Sequence, residues 1–248
     1  MEENKKNNKV WIIVTIIVAV VCVMACVATA VIVLITNNIK DKKEMTLLNN
    51  QVNKISTIGY SNNKVYLEKI TNEMKPTITT GKRQLVEKAL ESYTIDLYTE
   101  IDKTINLLSD EKLTGLVAAD NIKKDGKDFI ESKAYIMKTR LAINNNKDAL
   151  NKLLKEENIM EYIEKEDVPL KYKEMYKTLA IGSNGLPEND IKELNKLIDK
   201  SIKILNISEE ALNLLSQNKD KWNLTNNQVM FKEQQLLDKY NAIVNKEI

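Results

Sequence analysis

Hydrophobic residues follow two different rhythms along the chain. From Val10 to Thr36 they are continuous: VWIIVTIIVAVVCVMACVATAVIVLIT holds 24 apolar residues, three Thr and no charge. A bilayer-spanning helix needs about 20 apolar residues, so this segment is long enough to cross with some tilt. A buried helix of a globular domain rarely runs so far without a polar face. Beyond residue 36 the apolar residues recur at three- and four-residue steps, and no 18-residue window is free of charge. The pattern predicts an all-α, single-pass protein: a single N-terminal transmembrane helix followed by an elongated antiparallel helical bundle of about five to seven helices. The segments are a cytoplasmic tail (1–9), a signal-anchor helix (10–36), a membrane-proximal helical stalk (37–80) and the bundle (81–248).

Within the soluble part the helical period sets the elements. Ile39, Met45, Leu48, Val52 and Ile55 mark a helix that breaks near Gly59, and Val65, Tyr66, Ile70 and Met74 mark another that ends before Pro76 and Gly81. The clearest helix covers about 82–109, with Val86, Leu90, Tyr93, Leu97, Ile101, Ile105 and Leu108 on one face. Ile122, Ile130, Ala134, Met137 and Leu141 mark the next, with Asp120 placed to cap it and Asn144-Asn145-Asn146 expected to interrupt it before Leu150, Leu153 and Leu154. A helix with Leu170, Met175, Tyr176 and Leu179 stops at Gly182-Ser183-Asn184-Gly185, and Pro187 opens one with Ile191, Leu194, Ile198, Ile202 and Leu205 inward, which Ser208 is expected to restart. Thr225-Asn226-Asn227-Gln228 reads as a capping box for a last helix with Val229, Leu236, Tyr240 and Ile243 inward.

Composition narrows the chemistry. The chain has no histidine, which removes Ser-His-Asp and Cys-His nucleophiles, His-ligated zinc, haem on a proximal His and Glu-x-x-His di-iron sites. Six Gly and three Pro are few for 248 residues and all lie beyond the apolar segment, where they mark helix corners. Residues 37–248 carry 34 Lys+Arg against 33 Asp+Glu with alternating signs, so no basic stripe exists for nucleic acid. Asn makes up 29 residues and, with Lys and Ile, gives the composition of an AT-rich bacterial genome.

The apolar segment carries its own signals. Lys5, Lys6 and Lys9 before it balance Lys40, Lys42 and Lys43 after it. A short basic tail is easily retained inside while a long domain translocates regardless of charge, and Cys22 and Cys26 leave no thiol in the soluble part. The expected location is therefore the cell membrane, with the C-terminal domain extracytoplasmic. Ala28-Thr29-Ala30 imitates a signal-peptidase site, but the apolar run is too long and cleavage would leave VIVLI at the new terminus. Val23-Met24-Ala25-Cys26 imitates a lipobox with Cys26 as the lipidated residue, yet Met24 fits poorly and the run continues for nine residues. Thr15, Ala19, Cys22, Cys26 and Thr29, spaced 4-3-4-3, form a small-residue seam suited to self-association.

No catalytic, cofactor-binding or metal-ligating residue stands out. Neither G-x-G-x-x-G nor G-x-x-x-x-G-K-[ST] occurs. Asp120 to Ser132 fails as a calcium loop, with Lys at the third position and Ser at the twelfth. The acidic run EYIEKED (161–167) reads as a solvated helix end rather than a cation site, and Tyr93, Tyr98, Tyr172 and Tyr176 as core-edge packing. The expectation is a non-enzymatic, membrane-anchored helical interaction protein that meets an unknown protein partner or the cell envelope and binds no cofactor. The alternative is an extracytoplasmic ligand-sensing module. In architecture alone it resembles the four-helix sensor bundles of bacterial chemoreceptors. Those lead through a second span to an output domain, so sensing here would signal through a partner protein.

Overall fold

The computed structural model describes residues 39–58, 60–61, 64–65, 67–75, 77–182 and 188–247. Residues 10–36, with Thr15, Ala19, Cys22, Cys26 and Thr29, lie outside the described residues. Among the described residues no helix is long and apolar enough to cross a membrane. Helix accounts for 77% of what is described, and the fold is a helical bundle.

The elements run α1 (Ile39–Ile58), β1 (Tyr60–Ser61), β2 (Lys64–Val65), α2 (Leu67–Met74), α3 (Lys82–Leu108), α4 (Glu111–Gly115), α5 (Ala119–Asp125), α6 (Ile130–Leu153), α7 (Glu156–Glu164), α8 (Leu170–Ile181), α9 (Glu188–Gln217), β3 (Trp222–Thr225), β4 (Gln228–Phe231) and α10 (Gln234–Val244). Among the described residues the helices outnumber the five to seven expected, because the stretch read as one helix from Ile122 to Leu141 divides into α5 and α6, and α4 and α7 stand as further short helices. Contacts divide the chain into two compact units. One comprises Asn106–Asn145 and Lys196–Ile248, the other falls within Val10–Ile105 and Asn146–Asn195, and α3, α6 and α9 contribute to both.

In the second unit, α3 buries the stripe read from the sequence: Val86, Leu90, Tyr93, Leu97, Ile101 and Ile105 are all within 5% of full burial. In the same unit Leu48 and Ile55 of α1, Ile70 and Met74 of α2, Ile159 and Ile163 of α7, and Tyr176 and Leu179 of α8 are buried too. Polar clasps hold the chain ahead of α3. Glu87 reaches back to accept hydrogen bonds from the N–H groups of Ile78 and Thr79 and from the Thr79 hydroxyl. Glu44, on α1, accepts from Arg83 Nε at 2.5 Å and from the Thr80 hydroxyl at 3.0 Å. Burial opposes ionisation of Glu44, but the Arg83 and Thr80 bonds outweigh it and hold the carboxyl below its ordinary range. Gly182, with φ 84°, ends α8 by donating to the Thr178 carbonyl, the left-handed stop that its turn signal suggested.

Several expectations are corrected. Asn144-Asn145-Asn146 does not interrupt α6, which runs unbroken to Leu153. Asn146 is buried and its amide donates to the Glu100 carbonyl and carboxylate while its oxygen accepts from Thr104, so α3 supplies the partners that would otherwise draw the amide to its own backbone. Ser208 does not restart α9; it is buried in the middle of one 30-residue helix. Asp120 is not a cap, since Ala118 stands at that position of α5 without a side-chain bond. Tyr60–Ser61 pairs antiparallel with Lys64–Val65, and α2 is described from Leu67.

The capping-box reading of Thr225–Gln228 fails most plainly. These residues close a hairpin in which Trp222 faces Phe231 and Thr225 faces Gln228. Asn226 and Asn227 adopt φ 53° and 56°, the successive left-handed pair of a two-residue type I′ loop. Asn tolerates that conformation better than other side-chain-bearing residues, and the Trp, Thr, Val and Phe around it favour strands. Val229 therefore lies on β4, and only Leu236, Tyr240 and Ile243 belong to α10.

In the first unit the hairpin closes the core. Trp222 is 2% exposed, stacks on Phe129 at 6.2 Å and donates its indole N–H to the Leu215 carbonyl at 2.8 Å. Phe129 precedes α6 with φ 55°, a costly conformation for a bulky residue that the buried stack offsets. Phe129 offers no acceptor side chain, and the cap of α6 comes instead from Asp125, whose carboxylate accepts from the N–H groups of Glu131 and Ser132 at 2.9 and 2.8 Å. Burial raises the Asp125 pKa, but the Ser132 and Glu131 bonds and the Lys112 charge overcome it, leaving the carboxyl below its ordinary 3.8.

A depressed folded-state pKa contributes stability above the unfolded value and loses it as pH falls through the folded one. Asp125→Ala is therefore expected to cost about 1 kcal/mol at pH 7, as loss of a helix cap does. That deficit relative to the parent should shrink once Asp125 is protonated in both states. Thermal melts at pH 7 and at successively lower pH check this; a deficit that never shrinks as the pH falls would exclude the charged cap.

Candidate functional site

Two surfaces outside the core stand out. The first is a cleft of about 360 Å³ in the second unit, where α3 brings Asp96 and Glu100, α6 brings Lys152, and α7 with the residue after it brings Glu161, Tyr162 and Lys165. Its polar groups largely serve one another. Tyr162 donates to Asp96 at 2.6 Å, Glu100 accepts from Lys103 and Asn146, and the Lys165 ammonium lies 5.3 Å from the Tyr162 ring centre. Burial first, then the bond to Asp96 and its charge, push the Tyr162 hydroxyl above its ordinary range, so it stays protonated at neutral pH.

The acidic run 161–167 borders this cleft but does not converge on a point. Glu161 and Glu164 are exposed, Glu166 lies 3.9 Å from Lys88, and Asp167 lies 3.9 Å from Lys82. Among the described residues no group of three or more His, Cys, Asp or Glu is placed to hold a metal ion. Three of the four tyrosines expected at the core edge lie deeper, and Tyr172 is half-buried. Tyr93, Tyr98 and Tyr176 are within 5% of full burial, Tyr93 meets Tyr162 edge-on at 5.6 Å, and Tyr176 donates to the Ile159 carbonyl. Burial pushes all three phenols up, so none is a stacking platform open to a ligand.

The second surface is on α6 in the first unit, where most of the apolar residues that mark this helix in the sequence lie outside the core. The buried side is Phe129, Ser132, Ile136, Thr139 and Ile143, while Ile130, Met137 and Leu141 are 73%, 69% and 62% exposed and Ala134 is exposed beside them. Both sets repeat at helical spacing. The inward one wins because its isoleucines alternate with polar residues that find partners, such as Ser132, whose hydroxyl accepts from Asn121 at 2.8 Å. Isolated exposed apolar residues need no explanation, but three large ones in one line do.

Flanking charges differ on the two sides of this line. Arg140 pairs with Glu209 at 2.5 Å and Lys133 donates to the Ser216 hydroxyl at 2.9 Å, both partners lying on α9. On the other side the side chains of Glu131 and Lys138, both exposed, have no hydrogen bond or ion pair among the described residues. No protein-family model, curated protein or solved structure matches the chain.

Proposed function

We propose that this is a non-enzymatic, single-pass membrane-anchored helical protein whose bundle makes protein or cell-envelope contacts outside the membrane. The observation that carries the contact-making role is the exposed line of Ile130, Met137 and Leu141 on an otherwise well-formed helix. The anchor rests on the uncharged run 10–36, with 37–80 as the membrane-proximal part and 81–248 as an elongated antiparallel bundle. A ligand-sensing module is the second reading; the polar cleft around Tyr162 favours it over no ligand site at all.

Carbonate washing of membranes from cells making the full chain tests the anchor, and the chain is expected to stay in the pellet. Protease added to intact cells is expected to remove a C-terminal tag. Release by carbonate would end the anchored reading, and a tag protected until lysis would place the bundle inside.

A further inference from the structure

We propose that the exposed face of α6 is a homotypic seam, on which α6 of a second copy of this chain packs antiparallel. Ile130, Ala134, Met137 and Leu141 are spaced 4-3-4, the d-a-d-a step of a two-helix seam, and fall within roughly 60° of arc on a helix of 3.6 residues per turn. The same register makes Glu131 and Lys138 the e positions and Lys133 and Arg140 the g positions.

Charge selects the occupant and its direction. A two-fold axis that reverses one helix against another leaves each flank facing the same flank of its mate. With Ala134 opposite the partner's Met137, and Ile130 opposite the partner's Leu141, Glu131 meets the partner's Lys138 and Lys138 meets the partner's Glu131. Neither side chain has a hydrogen bond or ion pair among the described residues. The g flank brings Lys133 toward the partner's Arg140, but Arg140 is already neutralised by Glu209. A parallel pair would set Lys133 against the partner's Lys138, like charge on like, with no compensating pair.

Three large side chains per copy cover less than the roughly 800 Å² per partner of a standard interface, so the seam by itself makes a weak dimer. Its strength in the cell rests on the anchored reading above, because a shared membrane raises the local concentration of α6.

The test uses the full chain in detergent micelles and in liposomes, with the dimer fraction read by native mass spectrometry and by energy transfer between two labelled populations. A concentration-dependent dimer is expected. Met137→Glu, at a 69% exposed position where the fold is indifferent, should lower its association at least tenfold with an unchanged melting curve. Glu131→Lys and Lys138→Glu should each weaken the dimer, and the two together should restore it, which no lipid surface or unrelated protein partner would produce. The proposal is overturned by a monomer at all concentrations or by a dimer indifferent to Met137→Glu, such as one abolished by Ala19→Leu instead. It is equally overturned by a double variant no better than the singles, or by Met137→Glu lowering vesicle binding without touching association. Failure of the anchor would appear separately, as release by carbonate with the micellar dimer intact.

Discussion

Replacing Trp222 with Ala is expected to lower stability by about 3–5 kcal/mol, the cost of removing a fully buried large side chain. Set against a total of about 5–15 kcal/mol for a domain, that is enough to leave the first unit partly unfolded at 37 °C. The ring fills the space between the β3–β4 hairpin and Phe129, its N–H satisfies the Leu215 carbonyl, and the Lys127 ammonium sits 4.9 Å above it. Trp222→Phe should cost about half as much, since the stack survives while the Leu215 carbonyl loses its donor. Urea titrations followed by far-UV circular dichroism check both. If Trp222→Ala cost under 1 kcal/mol, the hairpin would be an ornament on the bundle rather than part of its core.

Glu87→Ala should be nearly as damaging, at about 3 kcal/mol. The carboxylate is 5% exposed and takes three donors at 2.6–2.9 Å, and hydrogen bonds to a charged acceptor are worth about 1.5–3 kcal/mol each before relaxation. Without it the N–H groups of Ile78 and Thr79 must find water, which they can do only if the turn ahead of α3 opens. Glu87→Gln keeps one acceptor oxygen and should lose about half as much. Faster amide hydrogen exchange at Thr79 in Glu87→Ala, alongside the lower unfolding midpoint, would tie the loss to this turn; a midpoint shift with Thr79 still protected would point elsewhere.

The legible parts of the fold were those where one face alone was apolar. On α3 every position of the stripe from Val86 to Leu108 is buried. Where polar residues had to be assigned to core or turn, local pattern pointed the wrong way. Asn146 reads as a helix breaker in isolation because its partners, Glu100 and Thr104, stand more than 40 residues earlier. Thr225–Gln228 fits a capping box by residue type and a hairpin by conformation, and only the alternation of Trp222, Leu224, Val229 and Phe231 around it carried a strand signal. Asp125 lies within the stretch that fails as a calcium loop, while its use as a cap depends on a turn at Phe129 that no spacing rule foresees. The candidate surface was legible as a set of residues and illegible as a surface. Ile130, Ala134, Met137 and Leu141 stand out as the apolar line of one helix, but the spacing does not say which way that line faces.

That ambiguity is a hazard built into α6 itself. A helix with apolar lines on two sides has two nearly equivalent ways to lie on its neighbours, differing by rotation about its own axis. Hydrophobic burial discriminates poorly between them, since the outward line is as greasy as the inward one. What breaks the tie is directional: rotating α6 would pull Ser132 from Asn121, Asn146 from Glu100 and Thr104, and the first-turn N–H groups from Asp125, stranding polar atoms in the interior. The hydrogen bonds of this helix thus act less as glue than as a key, admitting one orientation and leaving the other apolar line free to face outward.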